Sequence, residues 1–187
     1  DKMGKADNVA ARFLVDWDAS DRLKFALNIN GWKNKDDPQA SQYTEPRLQN
    51  QVGEAGLGGV IPADVPILNY PVAPRNPRAA DWNPNLRPFA NHTFWQTALR
   101  GDYEVLEDLT LTSITSFSKL RFLNATNGSG TALELQDIGR DYGRIKSFTQ
   151  EVRLANGAAN PLRYTLGANY ERTTVFEVVD LYIRDTT

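Results

Sequence analysis

The sequence predicts an all-β protein: an antiparallel up-and-down meander of about six long strands, of the kind that walls a transmembrane β-barrel. Three observations predict it. Apolar and polar residues alternate with period two over long stretches. The stretches come in pairs joined by short polar turns. Two much longer connections separate the pairs, which puts tight turns at one end and large loops at the other.

Composition agrees with this class. The 187 residues carry 21 Lys plus Arg against 23 Asp plus Glu, and a net charge of −2 gives no electrostatic case for nucleic acid. Hydrophobic residues reach 41%, too many for a disordered chain, although the mean hydropathy is −0.49. No apolar run approaches the ~18 residues of a membrane-spanning helix. A barrel passes that test unseen, because alternating strands average to a hydrophilic chain. The chain opens Asp1-Lys2-Met3 with no apolar leader, so a signal peptide is absent or already removed. Nothing marks Asp1 or Thr187 as a natural end, and an internal piece of a longer chain is expected.

The first hairpin covers residues 8–33. Val9, Ala11, Phe13, Val15 and Trp17 share one face, with Arg12 and Asp16 on the other. Asp18 to Asp21 forms the turn. Leu23, Phe25, Leu27 and Ile29 then alternate with Lys24, Asn28 and Asn30. Setting Trp17 opposite Leu23 puts Asp16 opposite Lys24, a mildly stabilising cross-strand pair.

Nine of the ten prolines fall between Pro38 and Pro88. A continuous ladder does not tolerate that density, so residues 34–90 are expected as a long irregular loop. The second hairpin, 92–121, alternates Trp95, Thr97, Leu99, Gly101, Tyr103 and Val105 with Gln96, Arg100, Asp102 and Glu104. It turns at Glu107-Asp108 and returns through Leu109 and Leu111 to Phe117. Ser113 and Thr115 interrupt the apolar face of this arm. A second long loop is expected over 123–143, including Asn127-Gly128-Ser129-Gly130.

The third hairpin, 144–173, sets Phe148, Gln150, Val152 and Leu154 against Ser147, Thr149, Glu151 and Arg153. Ala155 to Pro161 is its turn. Leu162, Tyr164, Leu166, Ala168 and Tyr170 form the returning apolar face. Residues Val175 to Ile183 are β-prone and either continue that strand or begin another.

Alternation alone also fits a soluble sandwich, with one face of each sheet buried. Strand length and aromatic placement favour the barrel. A ~25 Å apolar band takes about 9–11 residues per tilted strand. Trp17 and Tyr103 lie beside the short turns, while Trp32, Trp95, Phe117, Phe148 and Tyr170 lie toward the long loops. Two aromatic girdles at two interfaces would be spaced this way. Small closed barrels begin at about eight strands, so the strands starting at Val9 and Leu162 are not expected to pair with each other.

The residues offer little catalytic chemistry. There is no cysteine, which excludes disulfides, a thiolate nucleophile and a Cys/His zinc site. His92, the one histidine, has no Ser or acidic motif tied to it. Gly53 to Gly59 is Gly-rich but lacks the Gly-Lys-Ser/Thr of a phosphate-binding loop. Asp36-Asp37 is at most half a calcium site. Three Asn-x-Ser/Thr triplets begin at Asn91, Asn124 and Asn127, and the barrel reading implies no glycosylation there. No catalytic residue, cofactor or metal site is therefore expected, and the chain is not read as an enzyme. The long loop does interleave cations and aromatics. Tyr70, Arg75, Arg78, Trp82 and Arg87 are the candidates for contact with a small anionic or saccharide ligand.

Several phrases resemble the barrel wall of TonB-dependent receptors, the outer-membrane transporters of Gram-negative bacteria. Ser147-Phe-Thr-Gln-Glu-Val-Arg-Leu154 is similar to a strand frequent in that family, and a short turn and the strand Leu162-Arg-Tyr-Thr-Leu-Gly-Ala-Asn-Tyr170 follow it as they do there. Leu99 to Tyr103 with Leu109 to Phe117 resembles an earlier hairpin of the same wall. The likeness covers about two thirds of the chain and excludes both loops.

The resemblance implies a sector of a large transmembrane β-barrel in the outer membrane, serving uptake of a scarce ligand such as a siderophore chelate, vitamin or saccharide. Arg12, Asp16, Lys24, Arg100 and Glu151 would line the lumen. Lipid or lipopolysaccharide would meet the apolar face. A TonB-type energy-transducing protein would act through a plug region, which this sequence lacks along with a TonB box and an aromatic C-terminal strand. Six strands of about 22 transport nothing by themselves. The competing reading is a soluble β-sandwich for ligand binding or adhesion, which would bury Phe13, Phe25, Leu27 and Leu99.

Overall fold

The computed structural model describes residues 4–38, 41–45, 66–76, 79–157 and 159–183. Six strands form one antiparallel sheet: β1 (Asn8–Ser20), β2 (Leu23–Asp36), β3 (Phe89–Leu106), β4 (Leu109–Asn127), β5 (Gln136–Asn156) and β6 (Thr165–Ile183). Their spatial order is their chain order, β1-β2-β3-β4-β5-β6. The sheet is an open meander. No ladder joins β1 to β6 among the described residues, as the strand count requires.

Every strand exceeds the usual globular length of about 5–6 residues, from 13 residues in β1 to 21 in β5. Period-two patterning specifies such strands because each face is chemically uniform, so a one-residue slip would invert it. The register keeps that uniformity over most of the five ladders, the first row below ending on Arg172 opposite Phe148. One row runs Phe13–Ile29–Thr97–Phe117–Phe148, and the next toward the short turns runs Val15–Leu27–Leu99–Thr115–Gln150–Tyr170.

Three details differ from the sequence expectation. Trp17 pairs with Phe25 rather than Leu23, and the rings stack at 5.5 Å. A register shift between Asp18 and Ser20 absorbs the extra residues, so Lys24 meets Asp18 rather than Asp16. Hairpin chemistry at the turn, not charge pairing, set the register.

The loop expected over 123–143 is mostly ladder. β4 runs to Asn127 and β5 starts at Gln136, so the connection contracts to residues 128–135. Thr126, Asp137 and Ile138 carry no clean alternation, yet each finds a partner across the strand. Val175 to Ile183 continues β6 without a break, held by the long β5 beside it.

The turns at 21–22 and 107–108 lie at one end of the sheet, where β5 also ends and β6 begins; β2 and β4 end, and β3 and β5 begin, at the other. Asp108 sits in the left-handed region at φ 66° to close its two-residue turn.

Packing is unusual for a chain of this length. Among the described residues the buried apolar side chains are Tyr43, Pro88 and Ala125, all at the long-connection end. Phe13 is 58% exposed and Leu99 44%, while Phe25 and Leu27 are half-buried. Nothing described in this chain covers the apolar face.

Candidate functional site

Two regions carry polar chemistry: one face of the sheet and the cap at the long-connection end. On that face, Asp16, Arg100 and Glu151 share one cross-strand row; Lys24 lies in the next row toward the short turns and Arg12 two rows toward the cap. All five residues expected on one face are therefore on it. Arg100 grips Asp102 through Nε to Oδ2 at 2.7 Å and through a terminal nitrogen to Oδ1 at 3.0 Å. Thr112 Oγ1 donates to the same carboxylate at 2.7 Å. Glu151 pairs with Arg153 at 2.8 Å, and Arg12 Nε donates to Asn28 Oδ1 at 3.4 Å.

Toward the cap this face becomes mixed. Trp32 stacks on Phe94 at 5.9 Å and meets His92 edge-on at 6.4 Å. His92 Nε2 lies 2.6 Å from Asn124 Oδ1, and Asn124 Nδ2 donates to Asp141 Oδ2 at 3.3 Å. The His92 backbone N–H donates to Asn34 Oδ1 at 3.0 Å.

The cap is built around buried amides rather than an apolar core. Asp137 is 4% exposed, and Asn83 and Asn127 are each 5% exposed. Asn83 Nδ2 donates to Asp137 Oδ2 and Asn127 Nδ2 to Asp137 Oδ1, both at 2.7 Å. Asn127 Oδ1 in turn accepts from the Gly130 backbone N–H at 2.9 Å. Gly130 takes φ 68°, and a Cβ there would lie 2.8 Å from the Tyr43 nitrogen. Glycine thus lets the 41–45 segment lie directly on the β4–β5 turn.

Tyr43 donates through its hydroxyl to the Ile67 carbonyl at 2.7 Å and meets Tyr70 edge-to-face at 5.8 Å. Tyr70 donates to Asp81 Oδ2 and accepts from the Ala132 N–H at 2.9 Å. Burial first, and then the bond to Asp81, raise the Tyr70 hydroxyl above its ordinary pKa. Burial alone raises Tyr43.

Two clefts open in the cap. One of about 430 Å³ is lined by Asn83, Asn85, Leu86, Glu134, Asp137 and Tyr182 among others. The other, about 300 Å³, lies between Tyr43, Tyr70, Asp81 and the prolines Pro71 and Pro74.

Of the five ligand candidates, Tyr70 lines the smaller cleft. Arg75 and Arg87 are exposed and Trp82 half-buried, and these three line neither cleft. Arg78 lies outside the described residues. Of the four described candidates, Tyr70 alone lines a cleft. What the sequence reading missed is the Asn83–Asp137–Asn127 cluster, because its members lie in three separate segments. The one local signal was Asn127-Gly128-Ser129-Gly130, whose turn chemistry was recognised but not its role as a seat for the long connection.

Among the described residues no three His, Asp or Glu side chains come together as a metal site. Among the described residues no helix is long and apolar enough to cross a membrane, which says nothing of crossing by strands. No family model, curated protein or solved structure matches the chain.

Proposed function

We propose that this chain is a sector of the barrel wall of an outer-membrane transporter of the TonB-dependent kind. One observation carries the reading: toward the short turns, one face of the sheet carries Arg12, Asp16, Lys24, Arg100, Asp102 and Glu151 while the other exposes Phe13, Val15, Trp17, Leu99 and Leu166. A sandwich would cover Phe13 and Leu99, and a globular core would bury more apolar side chains than Tyr43, Pro88 and Ala125.

On this reading the Arg12, Asp16, Lys24, Arg100 and Glu151 face wets a lumen, and the apolar face meets lipid. The cap lies at the outer mouth, where Tyr70 and the cleft beside Asp81 are the first protein groups a polar ligand meets. No chemistry on the ligand is proposed. Energy and plug belong to partners and segments beyond this sector, and the ligand class remains a scarce chelate, vitamin or saccharide.

Depth-dependent quenching tests the reading. The full chain in phosphatidylcholine bilayers should show Trp17 and Trp95 quenched by brominated acyl chains, each read in variants retaining one tryptophan. Protection of both tryptophans from acyl-chain bromine would favour a water-soluble sheet instead.

A further inference from the structure

The apolar face ends, toward the cap, in a patch of like charge that no local feature of the fold explains. In the β4–β5 ladder Lys119 stands directly opposite Lys146, and two residues on Arg121 stands opposite Arg144. Directly opposed residues on one face hold their Cβ atoms about 5 Å apart, and like charges there destabilise the ladder. Two such pairs occur in succession.

No acid on that face offsets them. The row of Lys119 and Lys146 holds Gly31, Trp95 and Thr174; the row of Arg121 and Arg144 holds Lys33, Thr93 and Phe176. The nearest carboxylate in the register is Asp180, two rows farther and opposite Arg140. Arg121, Arg144 and Lys146 are exposed and Lys119 is half-buried. The Arg144 guanidinium rests over the Phe176 ring at 5.4 Å, which holds it on the surface.

The patch adjoins a row that is aromatic at its centre and ends on the exposed Arg172 opposite Phe148. Phe117 and Phe148 oppose each other one row below, and Trp95 packs on Phe117 at 5.2 Å. A ligand that satisfies both parts carries phosphate at one end and hydrocarbon at the other.

We infer that Lys119, Arg121, Arg144 and Lys146 form a binding site for the phosphate groups of an anionic lipid, whose acyl chains lie along Phe117 and Phe148. This rests on the apolar face being the lipid-facing one. Phosphate accepts charge-assisted hydrogen bonds from both guanidinium and ammonium donors, and a phosphate between two opposed cations converts their repulsion into attraction. Because the patch lies at the water boundary, its affinity falls with added salt.

The full chain in neutral detergent micelles is titrated with phosphatidic acid, phosphatidylcholine and inorganic phosphate, each read by native mass spectrometry. Phosphatidic acid should bind at least tenfold more tightly than phosphatidylcholine, and inorganic phosphate more weakly than either site-directed comparison resolves. The variant K119Q/R121Q/R144Q/K146Q should lose the tenfold preference, whereas K119R/K146R should keep it. Without lipid, K146Q should raise the thermal midpoint, because it removes a repulsion and leaves the sheet intact.

Equal binding of the two lipids, or a preference that survives the fourfold variant, overturns the site. Inorganic phosphate binding as tightly as phosphatidic acid overturns the lipid assignment. Retained preference with Trp17 and Trp95 unquenched in bilayers would leave the anion site standing and remove the barrel reading. Quenched tryptophans without preference would do the reverse.

Discussion

Asn127 at the end of β4 donates to Asp137 at the start of β5 at 2.7 Å, and both are almost wholly buried. Asn83 completes the cluster from the long connection. The segment around Asn83 is thereby fixed on the sheet by satisfied polar groups, which tolerate no partial loss.

Asp137→Ala orphans two buried amides at once. Each lost partner costs about 1–3 kcal/mol, so the cap should detach while the ladders below persist. Limited proteolysis should then cut within residues 37–88 faster, with the far-UV strand signal unchanged. Simultaneous loss of that signal would show that the cap and sheet unfold together.

Gly143 faces a backbone it cannot displace. A Cβ there would lie 2.5 Å from the Phe176 carbonyl oxygen and 2.6 Å from Phe122 Cζ. Gly143→Ala should destabilise the β5–β6 ladder by about 1–3 kcal/mol, the usual cost of overpacking. Chemical denaturation measures it, and a neutral outcome would mean that β6 shifts at little cost.

The two faces should respond oppositely to charge. Leu99→Arg places a cation in the middle of the apolar band, where a bilayer penalises it by about 2–4 kcal/mol. Ser116→Arg places the same charge on the polar face, beside Gln96. Folding into vesicles should fail or slow only for Leu99→Arg. Similar behaviour of the two variants would count against a lipid-facing band.

Tyr70 gives a pH dependence whose sign is fixed. Its folded pKa is raised, by burial first and then by Asp81, relative to an ordinary value of about 10. Its contribution is therefore fully present below pH 10 and is lost as pH rises through the folded value. Ultraviolet titration of tyrosinate should show late ionisation from Tyr70 and Tyr43, of which the Tyr70 part disappears in Tyr70→Phe. A late-ionising signal unchanged in Tyr70→Phe would refute the Tyr70–Asp81 contact.

Strand identity and face were legible in the sequence because period two leaves each residue only two choices, and the apolar set makes one of them costly in water or lipid alike. Arg12, Asp16, Lys24, Arg100 and Glu151 fall on one face for that reason alone. The open edges followed equally from strand number. Other features needed the folded chain. The pairing of Trp17 with Phe25 depends on the turn, where a shift of the ladder changes every partner without changing any face. The extension of β4 and β5 to Asn127 and Gln136 depends on neighbours that recruit residues of weak patterning. The amide cluster at Asp137 and the opposed cations at Lys119 and Lys146 are relations between distant positions. Alternation determines which side of a strand a residue takes; only the assembled ladders determine what it meets there.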